Sequence, residues 1–231
     1  MAKVAIAGGH SKACPGASGY LDEYIENRKI KDALVAEMKK RGHEVTDCSN
    51  EQTTQMAEMQ REVIAANDAN ADIFCAIHLN AYQDTAGERG VEVWYWSGDA
   101  MGQKVAAKMS ADLAALMKLP NRGAKATTEL YVLANTNMTA VLPEVCFVDA
   151  LGDSNKYQQT ATADIAEVMA DAIEAGVGTV KVEAPKPEEP KQEPMQDDEL
   201  LEILHEIQDS IDNIEADVAE LRGVLDLLRK C

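Results

Sequence analysis

Two histidines, His10 in "AGGHS" and His78 in "AIHLN", each close a short apolar run. Two glutamates also stand where charge is costly, Glu23 on a helical pattern and Glu144 inside "TAVLPEVCFVDA". With Leu34 as the centre of the first helix's apolar stripe and roughly 100° per residue, Ile30 and Met38 fall about 40° to either side. Glu23 and Asn27 fall about 20° to either side, on the same stripe, and Glu26 lies about 80° away on the flank. A carboxylate in that position is costly unless it is paired or bound to metal. Two imidazoles and one carboxylate supply three protein ligands for tetrahedral zinc and leave a position for water. Zinc so held lowers the pKa of a bound water towards about 7 and polarises a carbonyl. Glu144, held off the metal, would then be the general base, its pKa raised by burial. The four residues are dispersed, unlike a compact HExxH. Spacing alone therefore leaves open a structural role for the histidines and an ion pair of Glu144 with Arg122 or Lys125. His43 in "RGHEV" reads as a surface or helix-end residue, and His205 belongs to the tail. Glu92 and Glu129 are alternative acids in more polar contexts.

The elements that must position these residues follow from periodicity. Strands are expected at "KVAIA", "HEVTD", "DIFCAIH", "GVEVWYW", "LYVL" and "AVLPEVCFV". Helices are expected near Leu21–Arg41, Thr53–Ala69, Ala100–Lys118 and Lys156–Ala175. Strands alternating with helices predict an α/β domain around a largely parallel sheet, whose ligands gather beyond the carboxyl ends of the strands. His10 and His78 both fall at such ends.

Composition narrows the classes further. The 231 residues are 46% hydrophobic, which suits a folded domain with a smaller appendage. No apolar run approaches the roughly 20 residues that cross a bilayer. "MAKVAIAGGHSK" reads as a first strand and not a secretory leader, so the expectation is a protein made in the cytoplasm without an export signal. The five cysteines include no CxxC, which argues against a disulfide framework, and Cys75 and Cys146 read as core residues. A net charge of −18 disfavours nucleic acid as a partner. Fifteen acidic and five basic residues lie from Glu183 onward, so −10 of that charge belongs to the tail and −8 to the first 182 residues.

Residues 1–178 thus form the expected catalytic domain. Residues 179–198 form a linker whose "VEAPKPEEPKQEPMQDD" core holds four of the seven prolines. Residues 199–231 carry a heptad seam with Leu204, Ile211, Val218 and Leu225 at a, and Leu200, Ile207, Ile214, Leu221 and Leu228 at d. The seam predicts a helical coiled-coil segment that drives self-association, in preference to a helix docked on the domain. Cys231, just past the last d position, is a free thiol or an interchain cross-link.

Read together, "AGGH", Glu23…Asn27, "IHLNA", "NRGAK" and "LPEVCF" resemble, in order and separation, the zinc-dependent N-acetylmuramoyl-L-alanine amidases of the type 3 fold, particularly those of phage endolysins. The resemblance runs from Met1 to about Ala175. It implies a twisted, mostly parallel sheet of six strands with helices on both faces. It implies zinc ligands at His10, Glu23 and His78, a catalytic Glu144, and cleavage of the amide between the lactyl group of N-acetylmuramic acid and L-alanine in peptidoglycan. Glu144 would take a proton from the attacking water and return it to the alanine nitrogen. Asn80, Leu130 and Thr139, near predicted strand ends, are the candidate peptide contacts. Ser11-Lys12 stands where many relatives have Gly-Gly, the loop to Glu23 is short, and Pro143 precedes the catalytic position; these departures bear on the groove more than on the metal ligands. An endolysin that accumulates in the host until the membrane is opened is the leading expectation. A host autolysin, another zinc hydrolase of the wall, and a non-catalytic wall-binding protein are the alternatives.

Overall fold

Alternation along the strands sorts their side chains into two cores on opposite faces of one sheet. The computed structural model describes residues 1–177. The expected linker over 179–198, the heptad segment over 199–231, His205 and Cys231 lie outside the described residues. Six strands, β1 (Lys3–Gly8), β2 (Glu44–Asp47), β3 (Ile73–Asn80), β4 (Val91–Trp96), β5 (Asn121–Thr127) and β6 (Thr139–Phe147), are interspersed with six helices, β4 following β3 directly. The helices are α1 (Glu23–Lys40), α2 (Gln55–Asp68), α3 (Ala100–Met117), α4 (Tyr131–Asn135), α5 (Leu151–Gln158) and α6 (Thr162–Val177). The sheet order is β2-β1-β3-β6-β4-β5. All neighbours are parallel except β4 and β6, which are antiparallel. The starts of β4 and β5 therefore meet the carboxyl ends of β1, β3 and β6.

One face carries the larger core. Val4, Ile6, Ile73, Cys75, Ile77, Leu79, Val141 and Val145 pack there with Ile30, Leu34 and Met38 of α1 and with residues of α3 and α6. The intervening residues Ala5, Ala7, Phe74, Ala76, Ala140 and Leu142 face α2 and α4 in a smaller core. His78, Glu92, Trp94 and Glu144 continue this second face by the same alternation. At the end of β6 the register with β3 shifts, from His78↔Glu144 to Asn80↔Phe147. Two residues advance on β3 while three advance on β6. Val145 and Cys146 both enter the larger core as a result, and Phe147 returns to the face of Glu144.

Three expectations about elements need correction. "LYVL" is not a strand: Tyr131–Asn135 is a helix, with Ala134 N–H bonded to Leu130 O and the Asn135 and Thr136 side chains satisfying the carbonyls of Tyr131 and Val132. A four-residue apolar run carries no period that separates the two states. The sixth strand is instead the polar "NRGAKAT", a half-exposed edge strand with no hydrophobic alternation to announce it. The last helical pattern is two helices, broken at Gln159–Ala161 without glycine or proline.

Candidate metal centre and active-site cleft

Glu23 is the first residue of α1, capped by Asp22, whose side chain accepts from Ile25 N–H. A helix N-terminus favours a carboxylate there. The α1 residues buried are Glu23, Asn27, Ile30, Lys31, Leu34 and Met38, the stripe that the periodicity marks together with Lys31. Lys31 is covered because its ammonium reaches Asp47, at 2.7 Å, and Asp32. Asn27 donates to Gly9 O at 3.3 Å and so ties α1 to the turn that follows β1.

On that turn His10 adopts a left-handed backbone, φ 70°. Arg28 holds it by donating to His10 O at 2.7 Å and to Asn50 O at 2.8 Å. Ser11, fully buried, donates to Gln52 O at 2.7 Å, and Lys12 N–H donates to Glu51. The Ser11-Lys12 departure thus fastens the loop to the segment before α2. Gly9 is obligatory for a packing reason, since a Cβ there would stand 2.2 Å from the His78 ring.

These constraints bring three side chains together. Glu23 Oε1 lies 3.1 Å from His10 Nε2 and 3.0 Å from His78 Nδ1, and it accepts from Leu79 N–H at 3.2 Å. Glu23 Oε2 accepts from Ala17 N–H at 2.8 Å. One ligand atom from each of His10, Glu23 and His78 lies within 4.8 Å of the others, close enough for a single metal ion. Gly16, φ 73°, completes the cradle: a Cβ there would stand 2.4 Å from Glu23 Oε2 and 2.6 Å from His10 Nε2. Two imidazoles and a carboxylate aimed at one point are a donor set suited to zinc. Burial alone would raise the Glu23 carboxyl. Hydrogen bonds to His10 and His78, with their charges, outweigh it and hold the group well below the usual carboxylate range. Burial likewise opposes a charged His10 ring, but the hydrogen bond and charge of Glu23 raise its pKa above the ordinary value.

Glu144 stands directly across the β3–β6 ladder from His78. Its Oε2 is buried with no hydrogen-bond partner among the described residues, and burial, reinforced by the negative charges of Glu23 and Glu92, pushes its pKa well above the carboxylate range. The expected alternative of a Glu144–Arg122 pair is absent because Arg122 Nε donates to Glu92 Oε2 at 2.6 Å. Glu92 is buried, 4% exposed, and its polar context comes from other strands, since its other oxygen accepts from Asn80 Nδ2 at 2.9 Å. His43 stands at the end of α1, its N–H bonded to Met38 O, but it is not a surface residue: it is buried, accepts from Ala2 N–H and contacts Glu174.

The triad and Glu144 line a cleft of about 700 Å³ that runs along the second face of the sheet, between α2 and the β3–β4 loop. Asn80, Leu130 and the exposed Glu129 line it as well. Thr139 does not: it pairs with Ile73 at the start of β6, the end of the strand remote from Glu144. Predicting proximity from "strand end" alone failed there because a strand has two ends. Sequence reasoning missed Glu58 and Glu62 of α2, 2% and 1% exposed, as well as Arg89 and Phe147. The acid pair had a signal, since Glu58, Glu62 and Ala66 recur at i, i+4 on one helix face.

On a sheet of this topology, two imidazoles and a carboxylate converge beside a buried glutamate as a group that could hold a metal ion. The chain belongs to the N-acetylmuramoyl-L-alanine amidase family, whose family model matches residues 4–175. It is 34% identical over 172 residues to an uncharacterized protein of Clostridium perfringens, covering 74% of this chain and 51% of that one. The chain thus spans about half the length of that relative. It is 33% identical over 120 residues to the N-acetylmuramoyl-L-alanine amidase LytC of Bacillus subtilis, over 51% of this chain and 23% of that protein. Among solved structures it matches the catalytic domain of an endolysin targeting Clostridia difficile, with TM-score 0.68 and 29% identity, over 75% of this chain and 97% of that domain.

Proposed function

We propose that the chain hydrolyses the amide between the lactyl group of N-acetylmuramic acid and L-alanine in bacterial peptidoglycan, and serves as a phage endolysin. In this reading His10, Glu23 and His78 hold zinc and Glu144 moves the proton. The observation that carries it is the convergence of both imidazoles on Glu23 Oε1 beside the unpartnered Glu144 Oε2, in a chain of the amidase family. Zinc held by this donor set supplies Lewis-acid polarisation of the scissile carbonyl. Glu144 Oε2 accepts a proton from the attacking water and delivers it to the departing alanine nitrogen. Its elevated pKa brings the carboxyl nearer to the value that exchanges protons at neutral pH. Burial of Glu23 and the cradle at Gly16 keep the ligands in place before substrate arrives. Asn80 and Leu130 are the proposed peptide contacts. The endolysin role draws on the likeness to the endolysin catalytic domain.

Mass spectrometry of peptidoglycan digested by the full chain tests the activity directly. The expected products are unsubstituted lactyl groups and peptides with free L-alanine amino termini. Glu144→Ala is expected to abolish them while retaining zinc; undiminished turnover would remove Glu144 from the mechanism. Cleavage at any other bond would replace the amidase reading with another wall hydrolase. The heptad segment is proposed to gather several catalytic domains on the polymeric wall and raise avidity. Sedimentation of the full chain beside one ending at Gly178 tests this, and identical monomeric masses reject it.

A further inference from the structure

Two guanidinium groups that line the same cleft lie over one ring. Arg89 lies 5.7 Å and Arg122 5.0 Å from the centre of Phe147, and Arg89 also lies 4.9 Å from the ring of Tyr82. Phe147 is on the cleft face only because of the β6 bulge, which sets it on the same side as Glu144.

The position of Arg89 is built, not incidental. Asp153, fully buried, accepts from Arg89 N–H at 2.8 Å, Gly90 N–H at 3.0 Å and Phe147 N–H at 3.0 Å. One carboxylate therefore locks the β3–β4 loop to the end of β6. Gly152 N–H adds a bond to Gly87 O at 3.2 Å, in an approach so close that a Cβ on Gly152 would stand 2.8 Å from that oxygen. Asp153 is occupied by backbone amides and leaves the guanidinium uncompensated. Among the described residues Arg89 makes no ion pair; one amino group donates to Gln83 O at 2.9 Å, and the buried Nε has no partner. A guanidinium held against aromatic faces with unused donors is suited to a planar anion. Arg122 adds a second cation, whose one hydrogen bond among the described residues is made through Nε to Glu92, leaving its terminal amino groups as unused donors there.

We propose that Arg89 and Arg122 form a carboxylate-binding subsite of the cleft, which takes an acidic group of the peptide on the alanine side of the scissile amide. The inference rests on the amidase reading and adds the feature of the peptide that is recognised. A carboxylate bound there holds the peptide in register with Glu144. Elsewhere in the cleft the buried carboxyl groups of Glu58 and Glu62 offer an anion no cation, so the acidic group is drawn to the arginine side.

The test uses the zinc-loaded full chain and two N-acetylmuramoyl tetrapeptides that differ only in a free carboxylate or a carboxamide on the second residue. The wild type is expected to favour the carboxylate by about ten- to hundredfold in kcat/KM, chiefly through KM. Arg89→Gln is expected to bring that ratio near one. Arg89→Lys, which keeps the charge without the planar fork, should fall between. A wild type indifferent to the carboxylate, or an Arg89→Gln variant that slows both substrates equally and keeps the ratio, overturns the subsite. Binding of the two released tetrapeptides, followed through Trp94 in the same cleft, separates this from the activity. If the wild type cleaves neither substrate, the amidase reading fails. Tighter binding of the acidic peptide, lost in Arg89→Gln, would then still establish the subsite, and equal binding of both peptides would remove it.

Discussion

Gly9→Ala tests how the candidate metal centre is assembled without replacing any of the proposed ligands. The backbone of Gly9 is not among those with positive φ, so alanine meets no left-handed backbone penalty there. The added Cβ would instead stand 2.2 Å from His78 Cε1 and Nε2, whereas ordinary contact begins at 3.4 Å. The ring must retreat by more than 1 Å, the difference between these distances. It has little room to do so, because β3 is paired on both sides and Leu79 N–H is bonded to Glu23. A ligand or catalytic group displaced by about 1 Å loses on the order of a hundredfold in rate, and disturbing what orients a metal ligand costs about 10–100-fold in affinity. We expect zinc to bind about 10–100-fold more weakly, equivalent to about 1.4–2.8 kcal/mol, with wall-hydrolysing activity falling in parallel. Competition with a chromophoric chelator measures the zinc constant. Gly87→Ala is the control, since its Cβ would meet only Thr85 Oγ1 at 3.6 Å. A Gly9→Ala protein with zinc affinity within twofold of the wild type would refute the claim that the turn after β1 positions His78.

The remaining predictions address the same cleft from other sides. His78→Ala is expected to abolish stoichiometric zinc binding, and one zinc per chain in that variant, by metal analysis, would reject the ligand assignment. Glu62 has a pKa raised well above the carboxylate range by burial first and then by Glu58, so the folded state holds a proton that the unfolded chain releases. Its contribution is fully present below the unfolded value of about 4.3 and is lost as pH rises through the folded value. Glu62→Gln should therefore raise the melting temperature of the metal-free protein at pH 8 while leaving it unchanged near pH 4; a constant difference at both would be inconsistent with this origin. Asp153→Ala strands three amide donors, two of them in buried bonds, and is expected to destabilise the protein by about 2–4 kcal/mol in denaturant titration. A change below about 0.5 kcal/mol, the scale of an ordinary surface substitution, would show that the loop is not held there.

The α/β class and the buried stripe of α1 were readable because 3.6- and 2-residue periods report which side of an element is apolar. The same periods place Glu23 on the stripe and His78 on the face opposite Ile77 and Leu79. They could not report the edge strand Asn121–Thr127, which is half exposed, or separate helix from strand in "LYVL". Glu92's neighbours in sequence say nothing of its burial, of Arg122, which pairs its charge, or of Asn80, which donates to it, since both partners come from other strands.

Residue types and local periods alone thus determined the kinds of group available, the elements that carry them and the apolar face each element buries. Tertiary structure decided which groups meet. His10, Glu23 and His78 converge because a left-handed turn, a helix N-terminus and a strand end close on one point. Thr139 lies away from that point because the direction of β6 puts it at the far end. Arg89 and Phe147 share the cleft through a bulge and one buried aspartate. Such contacts depend on sheet order, strand direction and register, which are set by long-range packing and have no signature in the chain between the residues they join.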